Sequence, residues 1–208
     1  GFIKDDKIKE SDVDFDKIFN HLSTVRGNIT ANDFRIGSNK KVWWKCPKGD
    51  DHEWQTTINS RTSGTNCPIC DGKKTVKSTS LGNINKKLAK EWHPTKNGNL
   101  TAFDFNPNSN KKVWWKCPKG DDHEWQATII SRSYGNNCAI CNNSIIVKSN
   151  SLATLNPELV KEWHPKKNKN ITANDVGIGS NKKVWWKCKN FNDHEWKASI
   201  NSSKYSDC

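Results

Sequence analysis

Methionine is absent from the 208 residues, and apolar side chains make up only 33% of them. With a mean hydropathy of −0.92, that supply falls short of a conventional aliphatic core for one or two ordinary domains, so something besides apolar burial must hold the chain together. No apolar run approaches the roughly 18 residues that a bilayer span needs, and the first residues carry no hydrophobic signal segment. The expectation is a soluble chain. Acidic residues are also in deficit, with 22 Asp and Glu against 34 Lys and Arg, a formal charge of +12 and a pI near 9.3. That excess suits a polyanionic partner or a lysine-coated soluble surface, and charge alone does not choose between them. The missing methionine, and a repeated pattern that breaks off at Cys208, predict a piece of a longer protein.

What the chain has is repetition. KKVWWKC occurs at Lys40 to Cys46, Lys111 to Cys117 and Lys182 to Cys188. These cysteines recur every 71 residues, as do His52, His123 and His194, the mark of tandem duplication. NITANDF, NLTAFDF and NITANDV extend the match, as do HEWQTTI, HEWQATI and HEWKASI. The repeats are expected at 1–72, 73–143 and 144–208, the first with a divergent N-terminal helix and the third stopping before its last ligand. Repeats two and three carry LAKEWHP and LVKEWHP. There Asn156 suits the cap of a short helix, Pro157 its first turn, and Pro165 stops it just after His164. Repeat one offers FDKIFNHL instead, with Phe15, Ile18, Phe19 and Leu22 at helical spacing. Thr30 with Asp33, Thr101 with Asp104 and Thr172 with Asp175 read as capping-box-like starts of one tight helical turn. DGKKTVKSTSLGN and NNSIIVKSNSLAT read as polar connectors with room for one short strand.

Repeat one spaces Cys46, His52, Cys67 and Cys70 as Cys-x5-His-x14-Cys-x2-Cys, and repeat two repeats this as Cys117, His123, Cys138 and Cys141. Three thiolates and one imidazole match the tetrahedral Cys3His set of structural zinc. Repeat three supplies Cys188, His194 and Cys208, with its fourth ligand expected three residues further on. Eight cysteines would also serve disulfides in a secreted protein, where the sequon Asn28-Ile29-Thr30 would fit. Disulfides, however, give no reason for a histidine at constant spacing, and three cysteines per repeat pair badly; an iron site ranks below both. One Zn2+ per repeat is therefore expected. Each cysteine-containing segment of about 30 residues is too short to fold on apolar burial, whereas zinc supplies on the order of 10–16 kcal/mol in comparable peptides.

VWWKC and HEWQTTI should form a hairpin around the metal. Strand alternation puts Val42, Trp44 and Cys46 on an inner face, where Trp54 and Ile58 of the second strand can meet them, and Lys41, Trp43 and Lys45 on an outer, basic one. The outer positions recur as Lys112, Trp114 and Lys116, and as Lys183, Trp185 and Lys187. An outward tryptophan between lysines would serve as a stacking platform for an unpaired base with phosphates held alongside. The competing reading packs it under the preceding helix, against Trp92 or Trp163. Arg61 and Arg132, Lys204 near the same place in repeat three, and Lys40, Lys111 and Lys182 are further candidate phosphate contacts or solvated charges.

LAKEWHP, KKVWWKC, HEW and a CPIC ending together resemble the probable zinc-ribbon family of short tandem treble-clef modules, over nearly all of the chain. The resemblance implies small α+β zinc-stabilised modules, each a short helix plus a β-hairpin and a CxxC turn. In that family a knuckle and hairpin give the first two ligands, and nucleic-acid binding is the usual inferred role. Two departures stand out: five residues separate Cys46 from His52, with Asp50 and Asp51 inserted, where three are common, and repeat one lacks EWHP.

HEW and CPIC invite comparison with zinc deaminases, but those need His-x-Glu and an open metal position. His93 and His164 sit before proline with no acidic metal partner in the motif, and no catalytic residue is expected. Repetition favours multivalent binding. The leading expectation is a nucleic-acid-binding array, DNA favoured, with mainly backbone contacts; the alternative is an architectural array that contacts other proteins of a virion or assembly. Neither a membrane nor a small-molecule substrate is expected. Reduced thiols imply an intracellular setting, whether cytoplasm, nucleus or virion interior.

Overall fold

The computed structural model describes residues 33–191 and 193–203. The expected helix over Phe15 to Leu22, the Thr30 end of the first capping box, Lys204 and Cys208 lie outside the described residues. The strands are β1 (Lys41–Lys45), β2 (Glu53–Thr57), β3 (Lys112–Lys116), β4 (Glu124–Thr128), β5 (Lys183–Lys187) and β6 (Glu195–Ser199). The helices are α1 (Ile58–Thr62), α2 (Leu81–Ile84), α3 (Lys86–Ala89), α4 (Ile129–Ser133), α5 (Leu152–Leu155), α6 (Pro157–Val160) and α7 (Ile200–Ser203). Among the described residues, those up to Ala89 with Leu100–Asn108 form one compact unit, and Lys90–Asn99 with Ser109 onward form another.

Each repeat is built on one antiparallel hairpin, with Trp44 opposite Trp54, Trp115 opposite Trp125 and Trp186 opposite Trp196. The alternation expected of VWWKC is present. Val42, Trp44 and Cys46 are buried, and Trp44, Trp115 and Trp186 are wholly inaccessible. Each inner indole also donates across the hairpin, as Trp44 Nε1 does to the Thr56 carbonyl at 3.2 Å. Ile58 is wholly buried but opens α1 instead of extending β2. Thr57 turns the chain there, its hydroxyl accepting from Ser60 N at 3.1 Å, and Thr128 does the same for α4.

The pre-hairpin segment departs from expectation. Asn156 does cap α6, accepting from Leu159 N at 3.1 Å, with Pro157 in its first turn. The helix nevertheless ends at Val160, because Glu162 to His164 make an isolated antiparallel bridge to the edge of β5. Lys187 N donates to Glu162 O at 2.7 Å and His164 N to Trp185 O at 3.1 Å, so that Trp163 pairs with Trp186. Pro165, having no N–H, ends that pairing. Glu91 to His93 do the same on β3. The Thr-x-x-Asp motif closes a tight turn, with Thr101 N and Oγ1 donating to Asp104 Oδ2 at 2.7 and 2.8 Å. In the connectors the expected short strand is absent among the described residues. Single 3-10 turns stand there, Lys77–Thr79 and Lys148–Asn150, each followed by a wholly buried leucine, Leu81 or Leu152.

Candidate metal centres

The knuckle between β1 and β2 folds back on itself. Cys46 N donates to His52 O at 2.9 Å and His52 N to Gly49 O at 3.1 Å. A Cβ on Gly49 would lie 2.6 Å from the His52 ring, and one on Gly120 equally close to His123, so the ligand ring requires glycine there. Gly120→Ala should weaken the second site by tenfold or more, on the order of the loss when a ligand's support is removed; competition with a chromophoric chelator measures it. In repeat three the corresponding residue is Phe191, whose ring centroid lies 4.9 Å from that of His194. His194 is exposed, whereas His52 and His123 are buried.

Beyond α1 the CxxC turn brings Cys67 and Cys70 back to the knuckle, Asp71 N donating to Cys67 O at 3.1 Å. The donor atoms of Cys46, His52, Cys67 and Cys70 all lie within 4.8 Å of one another, as do those of Cys117, His123, Cys138 and Cys141. The fit to a metal can be tested on distances. A tetrahedron with Zn–S near 2.3 Å and Zn–N near 2.0–2.1 Å has edges of roughly 3.8 Å between sulfurs and roughly 3.5 Å from sulfur to nitrogen. Cys46 and Cys70 sulfurs are 3.7 Å apart, Cys117 and Cys141 sulfurs 3.8 Å. His52 Nδ1 lies 4.0 and 3.4 Å from Cys67 and Cys70, and His123 Nδ1 lies 3.8 and 3.4 Å from Cys138 and Cys141. These are two complete Cys3His zinc sites with Nδ1 facing the ion position. Desolvation, then hydrogen bonding with Cys46 and Cys67 and their charge, pushes the Cys70 thiol up to about 12; the same causes push Cys141 up to about 11. A divalent cation is what lets three such crowded sulfurs ionise together. Four protein donors leave no open position, so the zinc chemistry available is structural. On the third hairpin Cys188 N likewise donates to His194 O, at 3.0 Å, but Cys188 is disulfide-bonded and, among the described residues, neither it nor His194 belongs to such a donor group.

The outer face is more occupied than alternation implies. Lys41, Lys112 and Lys183 are exposed, while Trp43, Trp114 and Trp185 are half-buried. Trp92 stacks edge-on against the inner Trp115, centroids 5.5 Å apart at 77°, and Trp163 does so against Trp186; the outer tryptophans are not their expected partners in these stacks. Over Trp114 instead lies the Lys96 ammonium, 4.6 Å from the centroid, and Lys167 covers Trp185 at 4.5 Å. Glu124 gathers Lys96, Lys116 and His93, and their hydrogen bonds hold its carboxyl down at about 2. Lys45 lies 4.0 Å from Glu53; Lys187 is half-buried. Arg132 is buried. Its guanidinium lies 5.4 and 5.1 Å from the Trp115 and Trp125 centroids, and it pairs with Glu91. Arg61 stacks the same way on Trp44 and Trp54 and donates to Thr65 O. Ser203 stands at this position in repeat three.

His93 Nδ1 accepts from the Thr95 and Lys96 amides at 3.2 and 3.1 Å, and Nε2 lies 3.2 Å from Glu124. His164 is held likewise by Lys166 N, Lys167 N and Glu195. Sequence reasoning missed this glutamate, lysine and histidine cluster, although Glu124 and Lys96 recur 71 residues on as Glu195 and Lys167. It also missed that the inserted acids hold the connectors. Ser78 donates from N and Oγ to Asp51 at 2.8 and 2.6 Å, bonds that lower the Asp51 pKa. Among the described residues no helix is long and apolar enough to cross a membrane.

Residues 22–73, 88–144 and 159–208 each match the model of a family described as a probable treble clef zinc finger domain. The connectors from Lys74 and from Ile145 onward lie between the matched segments. Comparison with curated proteins finds no match.

Proposed function

The chain belongs to the probable treble clef zinc finger domain family, matched three times in tandem, and from that premise we propose that it is a non-enzymatic, intracellular array that binds nucleic acid, DNA foremost, through the phosphate backbone. The observation that carries this reading is an exposed lysine pair at the start of every hairpin: Lys40 and Lys41, Lys111 and Lys112, Lys182 and Lys183. Among the described residues none of the six makes an ion pair, unlike Lys96, Lys116 and Lys167 on the outer face. Three such pairs at a 71-residue period suit multivalent contact with an extended polyanion. Two features support the absence of catalysis. Four protein ligands close each complete site, and His164 is bonded through both ring nitrogens, while His93 is bonded through Nδ1 with Nε2 buried 3.2 Å from Glu124.

Anisotropy with labelled duplex and single-stranded DNA tests the proposal. Affinity should fall steeply with salt, and replacing each lysine pair by alanine should lower the log–log salt slope on duplex DNA by roughly 0.9 for every phosphate the pair had neutralised. No binding at low salt would remove the reading. The architectural alternative would then stand, favoured by the exposed apolar side chains of Phe103 and Leu155.

A further inference from the structure

The connector after repeat two does more than join modules. Ser149 N donates to Asp122 Oδ2 at 2.9 Å, and the Ser149 hydroxyl lies 3.2 Å from His123 Nε2. Because Nδ1 of that ring faces the sulfurs, Nε2 carries the proton and donates to Ser149 Oγ, the arrangement that fixes the tautomer and orientation of a ligating histidine. One residue on, Asn150 Nδ2 donates to Ile140 O, inside the CxxC turn, at 2.9 Å. The same stretch is anchored at its other end in repeat three. Leu152 N donates to Val176 O at 2.7 Å and Ala153 N to Ala173 O at 3.0 Å. The Leu152 side chain is wholly buried beside Val176, Val184, Trp186 and Ile200. A Cβ on Gly177 would come within 3.1 Å of Ile146 Cδ1, so repeat three also closes on the connector before Ser149.

We propose that the connector is the missing outer wall of the metal site that precedes it: Ser149 is a positioning residue for the ligand His123, and its anchorage through Leu152 couples metal retention in repeat two to the packing of repeat three. The device turns on the two-residue knuckle insertion, since Asp122 is what grips the Ser149 amide. Repeat one carries a version in which Ser78 binds Asp51 through both amide and hydroxyl.

The test uses the full zinc-loaded chain and two readouts, zinc release to a chromophoric chelator and hydrogen exchange at the Leu152 and Ala153 amides. Ser149→Ala retains every metal ligand. It should speed release from one site about tenfold, the lower end of the effect expected when a ligating histidine loses its partner, and speed exchange at both amides by a similar factor. Ser149→Thr, which keeps the hydroxyl, should restore the release rate. Cys141→Ala, which removes a ligand, should also speed exchange at Leu152, and Ser78→Ala should leave the two amides unchanged. Unchanged release and exchange in Ser149→Ala would overturn the proposal. So would equal acceleration at those amides in Ser78→Ala, which would mean general loosening instead of a local device.

Discussion

Stripping the metal from the chain with a high-affinity chelator at neutral pH is expected to abolish its cooperative melting transition and most of its tryptophan-dependent near-UV circular dichroism. The physical reason lies in how little else closes each module. Between the hairpin and the CxxC turn of repeat one the buried apolar set is Val42, Trp44, Cys46, Trp54, Ile58, Cys67 and Ile69. Two of these seven are metal ligands. A core of that size does not fold on burial alone, whereas zinc contributes on the order of 10–16 kcal/mol of apparent binding free energy that is present only when the ligands are assembled. Cys117→Ser should act likewise on the second site. Acid should imitate the chelator, because the ligating sulfurs bind metal only as thiolates and protonation competes as pH falls. A chain with no bound transition metal by elemental analysis, or a melting curve indifferent to chelation, would refute the metal-centred account.

The second large effect separates the adjacent tryptophans. Trp115→Ala should cost roughly 3–5 kcal/mol, the range for removing a large buried aromatic, whereas Trp114→Ala should cost about 1 kcal/mol, nearer the centre of ordinary substitutions. Trp115 is wholly buried, lies opposite Trp125, meets Trp92 edge-on and donates from Nε1 to Ala127 O at 3.1 Å. Trp114 is half-buried beneath the Lys96 ammonium. Thermal and denaturant midpoints of the zinc-loaded chain measure the difference, and equal losses would show that the two faces of the strand are equally part of the core.

Much of the local architecture was written in residue order. Period-two alternation in VWWKC assigned Val42 and Trp44 inward correctly, and constant spacing singled out the eight donors that the structure brings into two groups. Asn156 and Pro157 announced the start of α6. The end of that helix was not legible, because Trp163 and His164 leave it for the edge of β5, a choice made by an unpaired strand edge and not by helix propensity.

The sequence by itself determined the tandem register, the ligand set and which strand face turns inward, since each depends on neighbours a few residues apart or on a period repeated along the chain. Only the tertiary structure decided that Arg132 lies inside, paired with Glu91 41 residues away. It alone decided that Lys96 covers Trp114 and that Ser149 reaches back 27 residues to Asp122. Those partners meet because the bridging segment and the connector fold back onto the hairpin, and although Lys96, Asp122 and Ser149 each have a counterpart 71 residues away, that period does not say which side chains meet.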